Sequence, residues 1–368
     1  MRNIRKLACI PLLACTAGAH AQSSVTLYGI IDEGVTYTNN QKGGSTWQVT
    51  QGNYAGSRWG FKGSEDLGGG TRAIFTLENG FNPSNGAALQ AGRLFGRSAW
   101  VGLANETYGS LTFGRQYNSV EDYLTFEQAA SNGALGAFAN SVYDNDDLNN
   151  TYRSQNSVKY TSPTLRGLTV EGLYGFSNQP GAFAQNRTWS VGADYSNGPL
   201  RLDAAYAHLS APGSTAGGAI ASDNYYSTAS SIIANVKDNR VFGAGGSWTF
   251  GPATLAVLYT NAQFDILTGG SLHFANYQIN GRWLVTPAWQ VAAGYIYTSQ
   301  DSTSASYTNA HYHQLTLGTN YFLSKRTDVY LSAGIQRASG ANAWFTNLGA
   351  PSSNNHQIVI TAGLRNKF

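Results

Sequence analysis

Six carboxylates, Glu121, Asp122, Glu127, Asp144, Asp146 and Asp147, fall between Arg115 and Arg153, a stretch without one Lys or Arg. Such a segment can hold a cation or oppose cationic side chains across a gap, although its spacing matches no EF-hand. Groups able to make and break bonds are sparse by comparison. His311 and His313 share one face of a strand, as metal ligands could, but a pair at a strand end is ordinarily surface. His208, His273 and His356 are scattered and leave little for a triad. Gly63 and Gly68 supply the outer glycines of a phosphate loop, yet Gly69 stands where its lysine belongs, so the segment reads as a turn. No Gly-x-Ser-x-Gly elbow occurs. The chemistry on offer is opposed charge rather than catalysis, with no cofactor and no metal implied.

Composition narrows what could carry those charges. Of 368 residues, 12% are charged, and 43 are Gly, 22 Tyr and 8 Trp. A soluble chain is about one-quarter charged, so the deficit points to an unusual solvent and excludes disorder, a coiled coil or a broad basic nucleic-acid surface. Residues 1–21 read as a cleaved signal peptide: Arg2, Arg5 and Lys6, an apolar stretch from Leu7 to Ala17, and Ala19-His20-Ala21. Both cysteines, Cys9 and Cys15, lie there, so residues 22–368 contain none. Removing three of the 23 Lys and Arg leaves 20 against 20 acids, a formal charge of zero.

Beyond the leader no apolar run reaches the ~18 residues of a membrane helix, but a period of two recurs. Leu200, Leu202, Ala204 and Tyr206 alternate with Arg201, Asp203 and Ala205; Trp289, Val291, Ala293, Tyr295 and Tyr297 alternate with Gln290, Ala292 and Gly294. Tight turns such as 66–70, 105–109, 197–199 and 251–252 take turns with long polar connections at 38–55, 81–93, 118–151, 178–187, 210–237, 263–274, 299–311 and 338–355. The pattern predicts an all-β fold: a 16-stranded antiparallel transmembrane β-barrel, one domain over residues 22–368, with short periplasmic turns and long extracellular loops. A barrel of that width encloses water, and the longest connection, 118–151, is the segment expected to fold inward as a constriction.

Parity then assigns faces. Trp59 and Phe61 share one side, which turns Arg58 and Lys62 to the lumen. Arg153 and Lys159 share parity with Ser157 and Thr161, and Arg72 with Thr76 and Glu78. Arg97 stays undecided, because Val101 and Leu103 share its parity. Arg115 shares parity with Leu111 and Phe113 and is expected to face outward, where a protein interface would relieve the cost of a charge against lipid.

The opening SVTLYG at 24–29, GSRWGFKGSEDLGGGTRAIFTLENGF at 56–81, GRSAWVGL at 96–103, GSLTFGRQY at 109–117 and the terminal GLRNKF resemble the general-diffusion porins of Gram-negative bacteria, nearest their betaproteobacterial branch. Asn366 stands where a histidine or aromatic is usual, and Ile30 where enterobacterial relatives place a lysine. The resemblance implies a homotrimer in outer-membrane lipid and lipopolysaccharide, each barrel pinched by its third loop, with Phe368 as the signal read by the barrel-assembly machinery. It matches Arg58, Arg97 and Arg153 to the family's arginine cluster, facing acids of the loop, of which Glu121, Asp122 and Glu127 are taken for the neck. Passive diffusion of small hydrophilic solutes and ions is the expected function. A substrate-specific channel of the same fold, an outer-membrane enzyme and a secreted β-sandwich are the alternatives.

Overall fold

The structure is a computed structural model that describes residues 23–131, 133–150, 152–212, 218–221, 233–345 and 349–368. The expected leader, 1–21, lies outside the described residues. In chain order the strands are β1 (Ser24–Gln41), β2 (Gly44–Gln51), β3 (Arg58–Gly68), β4 (Thr71–Gly80), β5 (Ser98–Asn105), β6 (Gly109–Gln116), β7 (Ser154–Thr161), β8 (Leu168–Gly175) and β9 (Thr188–Asn197). They continue as β10 (Leu200–Ser210), β11 (Val236–Phe250), β12 (Ala253–Ile266), β13 (Ser271–Thr286), β14 (Trp289–Ser302), β15 (Ala310–Phe322), β16 (Thr327–Ser339) and β17 (His356–Lys367).

The strands pair antiparallel in chain order, except that β2 and β3 both pair with β1 and not with each other, and β17 returns to β1 with Gly34 opposite Gly363. The last residue completes the seam, because Gly29 and Phe368 exchange both backbone hydrogen bonds at 3.0 Å. The seventeen segments make sixteen staves. β1 pairs with β3 over Ser24–Ile30 and with β2 over Glu33–Gln41, so β2 and β3 are two halves of one stave, interrupted at 52–57. The β1–β17 seam closes the sheet on itself, as strands in hydrocarbon require, while β2 is paired to β1 alone.

The faces are inverted relative to a soluble sandwich. Leu317 and Ile279 are 52% and 47% exposed, while Asn276 and Gln336 are 0% and 1% exposed. Apolar side chains point out and amides point in, as hydrocarbon outside and water inside demand. Two expected long connections prove to be ladder. Residues 38–55 contain a hairpin turning at Lys42 and Gly43, both with positive φ, and β12 and β13 are joined through 267–270 only. Exposed Trp47 and Val49 alternate with half-buried Thr46, Gln48 and Thr50 and continue the pleat, although those polar residues read as loop.

The described residues of 118–150 fold into the barrel. Their helix α1 (Ser119–Leu124) is capped by the Asn118 side chain, which accepts the Val120 N–H at 2.8 Å. Val120 and Leu124 pack with Ala205, Ala207 and Val241 on the inner wall. The next stretch crosses to β13–β16, where Asn280 donates to the Glu127 carbonyl at 2.9 Å and Gln278 accepts the Ala129 N–H at 3.2 Å. At Gly318 a Cβ would stand 1.6 Å from the Ala134 carbonyl oxygen, so only glycine lets the loop lie this close. Contrary to the simple alternation rule, Phe264, Phe274 and Tyr312 face inward and are buried. They form a core with the returning loop, Val142 and Leu148.

Candidate pore constriction

Arg58 opens β3 opposite Gly80 of β4, two residues from Glu78. Its Nη1 lies 3.9 Å from Glu78 Oε1, and its Nε donates to the Gly56 carbonyl at 2.9 Å. Glu78 Oε1 also takes the Arg97 Nε at 2.6 Å, while Tyr28 donates to Oε2 at 2.9 Å. Arg97 therefore faces inward. It precedes β5, whose pairing with β4 begins at Ser98, and parity counted from Val101 stops applying where the pleat stops. The Arg97 Nη2 donates to the Tyr117 hydroxyl at 2.8 Å, and the Arg153 guanidinium lies 5.1 Å from the Tyr117 ring centre. Tyr117 and Glu78 thus tie the arginines into one array; nothing in strand parity marks Tyr117, which lies just beyond β6.

Arg58, Arg97, Arg153, Tyr117 and Glu121 line one cavity of about 500 Å³, closed on its other side by the inward loop. Of the three loop acids expected there, only Glu121 lines it. Asp122 turns to Lys159, at 2.5 Å, and that lysine also lies 3.7 Å from Glu171. It borders an adjoining cavity of about 340 Å³ shared with Arg58, Lys62 and Glu78. Glu127 is 0% exposed, accepting from Ser247 at 3.3 Å with Arg201 at 3.7 Å, so it is wedged between loop and wall and lines no passage. A strand pattern fixes faces on strands but says nothing of which way a loop residue turns. Lys62 stands 4.7 Å above the Tyr28 ring, and Arg72 is exposed beside the β3–β4 turn. Arg115 needs no second subunit: its Nε donates to the Gly96 carbonyl at 2.8 Å within the chain.

The other loop acids are structural. Asp146 accepts from Ser141 at 2.6 Å and Thr260 at 2.7 Å, and Asp147 from Asn118 at 2.8 Å. Burial, and then the neighbouring Asp147 carboxylate, hold the Glu121 carboxyl well above the usual carboxylate range, with Arg153 pulling the other way. A carboxyl raised in the folded state stays protonated past its unfolded value, so the stability it contributes is lost as pH rises through the raised value. The same ionisation adds a negative charge beside the arginines. Ion selectivity is expected to shift towards cations as pH rises, and Glu121→Gln to flatten that profile; reversal potentials across a pH series check it.

The loop tip is latched to the interruption between β2 and β3. Asp32 accepts the Tyr54 and Ala55 N–H groups at 2.7 and 2.8 Å and the Tyr330 hydroxyl at 2.5 Å. Tyr54 stacks on Tyr330 at 4.1 Å and donates to the Ala134 carbonyl at 2.5 Å, while the Ala137 N–H donates to the Asn53 carbonyl at 2.6 Å. Gly136 sits between them at φ 70°, where a Cβ would lie 2.4 Å from the Tyr54 ring. Gly136→Val is expected to unseat the tip, at about 1–3 kcal/mol of strain, and Tyr54→Phe to loosen it by about 1 kcal/mol. Single-channel recordings should show closures several-fold more frequent, more so for Gly136→Val.

A closed barrel with an apolar exterior, a polar lumen and an inward loop defines a transmembrane channel protein. The sequence profile of the Gram-negative porin family matches residues 8–341. The chain belongs to that family, and its place is the outer membrane. It is 38% identical to an outer membrane porin protein of Bordetella pertussis over 67% of this chain and 66% of that protein. Outer membrane porin protein 32 of Delftia acidovorans is 28% identical over 99% of each. Among solved structures, an anion-selective porin from Comamonas acidovorans superposes with a TM-score of 0.72 at 24% identity, covering 94% of this chain and all of that one. The trimer form of OmpT from Vibrio cholerae gives 0.68 at 18% identity, covering 94% and 99%. These likenesses extend to the fold.

Proposed function

We propose that the protein is a passive diffusion channel for small hydrophilic solutes and ions, narrowed between the arginine-bearing wall and the inward loop, with a mild preference for anions. The observation that carries this reading is the convergence of Arg58, Arg97 and Arg153 on one cavity that Glu121 also lines, with Glu78 paired to Arg58 and Arg97. Three cations against two acids leave a net charge of +1, and +2 when Glu121 is protonated. Opposed charges in a partly desolvated gap set a transverse field that admits polar solutes and biases ions, with no bond made or broken.

The same reading includes a homotrimer in lipopolysaccharide-bearing lipid, inserted through recognition of Phe368 by the assembly machinery. Support comes from the anion-selective Comamonas porin and the trimeric Vibrio protein, whose fold this chain shares. Liposomes carrying the protein should swell in sugars with rates that fall smoothly as sugar size increases. Saturation by one sugar, with others excluded at equal size, would replace general diffusion by a substrate-specific channel.

A further inference from the structure

The lumen holds a third cavity, about 440 Å³, under the inward loop and reaching the 198–199 turn. Two features there serve neither the neck nor the wall. Phe126 presents its ring to the cavity and is 52% exposed, an apolar surface in an aqueous lumen. The Arg201 guanidinium covers it 3.5 Å from the ring centre, but that cation is already matched by Asp203 at 2.9 Å and Asp194 at 3.0 Å. Arg282, on the inward face of β13 opposite Thr254, borders the same cavity and is exposed. It forms no hydrogen bond or ion pair with the described residues.

An unmatched guanidinium recognises a carboxylate through paired N–H donors, and an exposed ring recognises a flat apolar body. One cavity offering both selects a solute that carries both. An inorganic anion would engage Arg282 alone, and a neutral sugar would leave the guanidinium without a counter-charge. The hydroxyls of Thr249 and Thr254, 3.2 Å apart on the adjoining wall, leave room for a hydrated edge.

We propose that this cavity is a subsite for single-ring aromatic carboxylates, with Phe126 stacking on the ring and Arg282 pairing with the carboxylate, on the periplasmic side of the neck. It rests on the channel reading above and names a solute class for it. The test is chloride current through the purified protein in planar bilayers, with benzoate or acetate added from the side of the short turns. Benzoate should reduce the current saturably, with half-effect at a concentration at least five-fold below that of acetate. Phe126→Ala and Arg282→Gln should each raise that concentration five-fold or more, and Arg282 is exposed, so its replacement spares the fold. Equal action of acetate and benzoate, or a benzoate effect untouched by either substitution, would overturn the subsite while leaving the channel reading intact. Absence of any stepwise conductance would instead overturn the channel reading, and the subsite with it.

Discussion

Replacing Arg58, Arg97 and Arg153 together with glutamine is expected to reverse the sign of ion selectivity. The array then keeps Glu121 on the cavity and Glu78 beside it, and its net charge passes from +1 to −2, counted as three cations less two acids before and two acids alone after. Under a tenfold salt gradient, ideal selectivity for one monovalent ion corresponds to about 59 mV. The wild-type reversal potential should carry the anion sign, and that of the triple variant should cross zero by a sizeable fraction of this span. Removing Arg58 and Arg97 leaves Glu78 with only the Tyr28 hydroxyl at 2.9 Å, and breaking a buried pair costs about 3–5 kcal/mol. A triple lysine variant separates charge from packing, because it should keep the anion sign. A potential unmoved by the glutamine substitutions would place the selective step elsewhere.

Ile279→Arg is expected to be the most damaging single change on the wall. Ile279 lies in the middle of β13, between Val257 and Tyr295 on the neighbouring strands, with its side chain outward. A cation at the bilayer midplane costs about 2–4 kcal/mol, which is roughly thirty- to a thousand-fold in the folded population by the factor of ten per 1.4 kcal/mol. Denaturant titration in lipid vesicles should show that loss. Thr254→Glu, on the lumen side opposite Arg282, should be nearly neutral in the same assay. Equal tolerance at both positions would mean that water, rather than hydrocarbon, lies against the exterior.

Alternation made the wall legible. Wherever a strand is long, as in β12 to β16, a side chain's face follows from counting by two, and Lys62, Glu78 and Lys159 border one cavity inside the barrel. Counting failed where the pleat ends. Arg97 sits one residue before β5, and its inward turn follows from the motif it shares with porins rather than from its neighbours. The loop was legible as a whole and illegible in detail. Its length and acidity marked it as the inward segment, yet Glu127 and Asp146 spend their charge on contacts that hold the loop to the wall, and Asp147 on a hydrogen bond from Asn118 within the loop. Such partners lie more than a hundred residues away in Thr260 and Ser247, beyond the reach of local pattern. Tyr117 and the Asp32–Tyr330–Tyr54 latch were invisible for the same reason: each joins groups remote in the chain.

Residues 22–368 contain no cysteine, so a single introduced thiol can report on the passage directly. With Arg58→Cys in planar bilayers, a bulky thiol-specific reagent added to the bath should lower single-channel conductance by more than half, whereas Val257→Cys on the outer face should leave it unchanged. Full conductance after complete modification at position 58 would show that ions do not pass between the arginine wall and the inward loop.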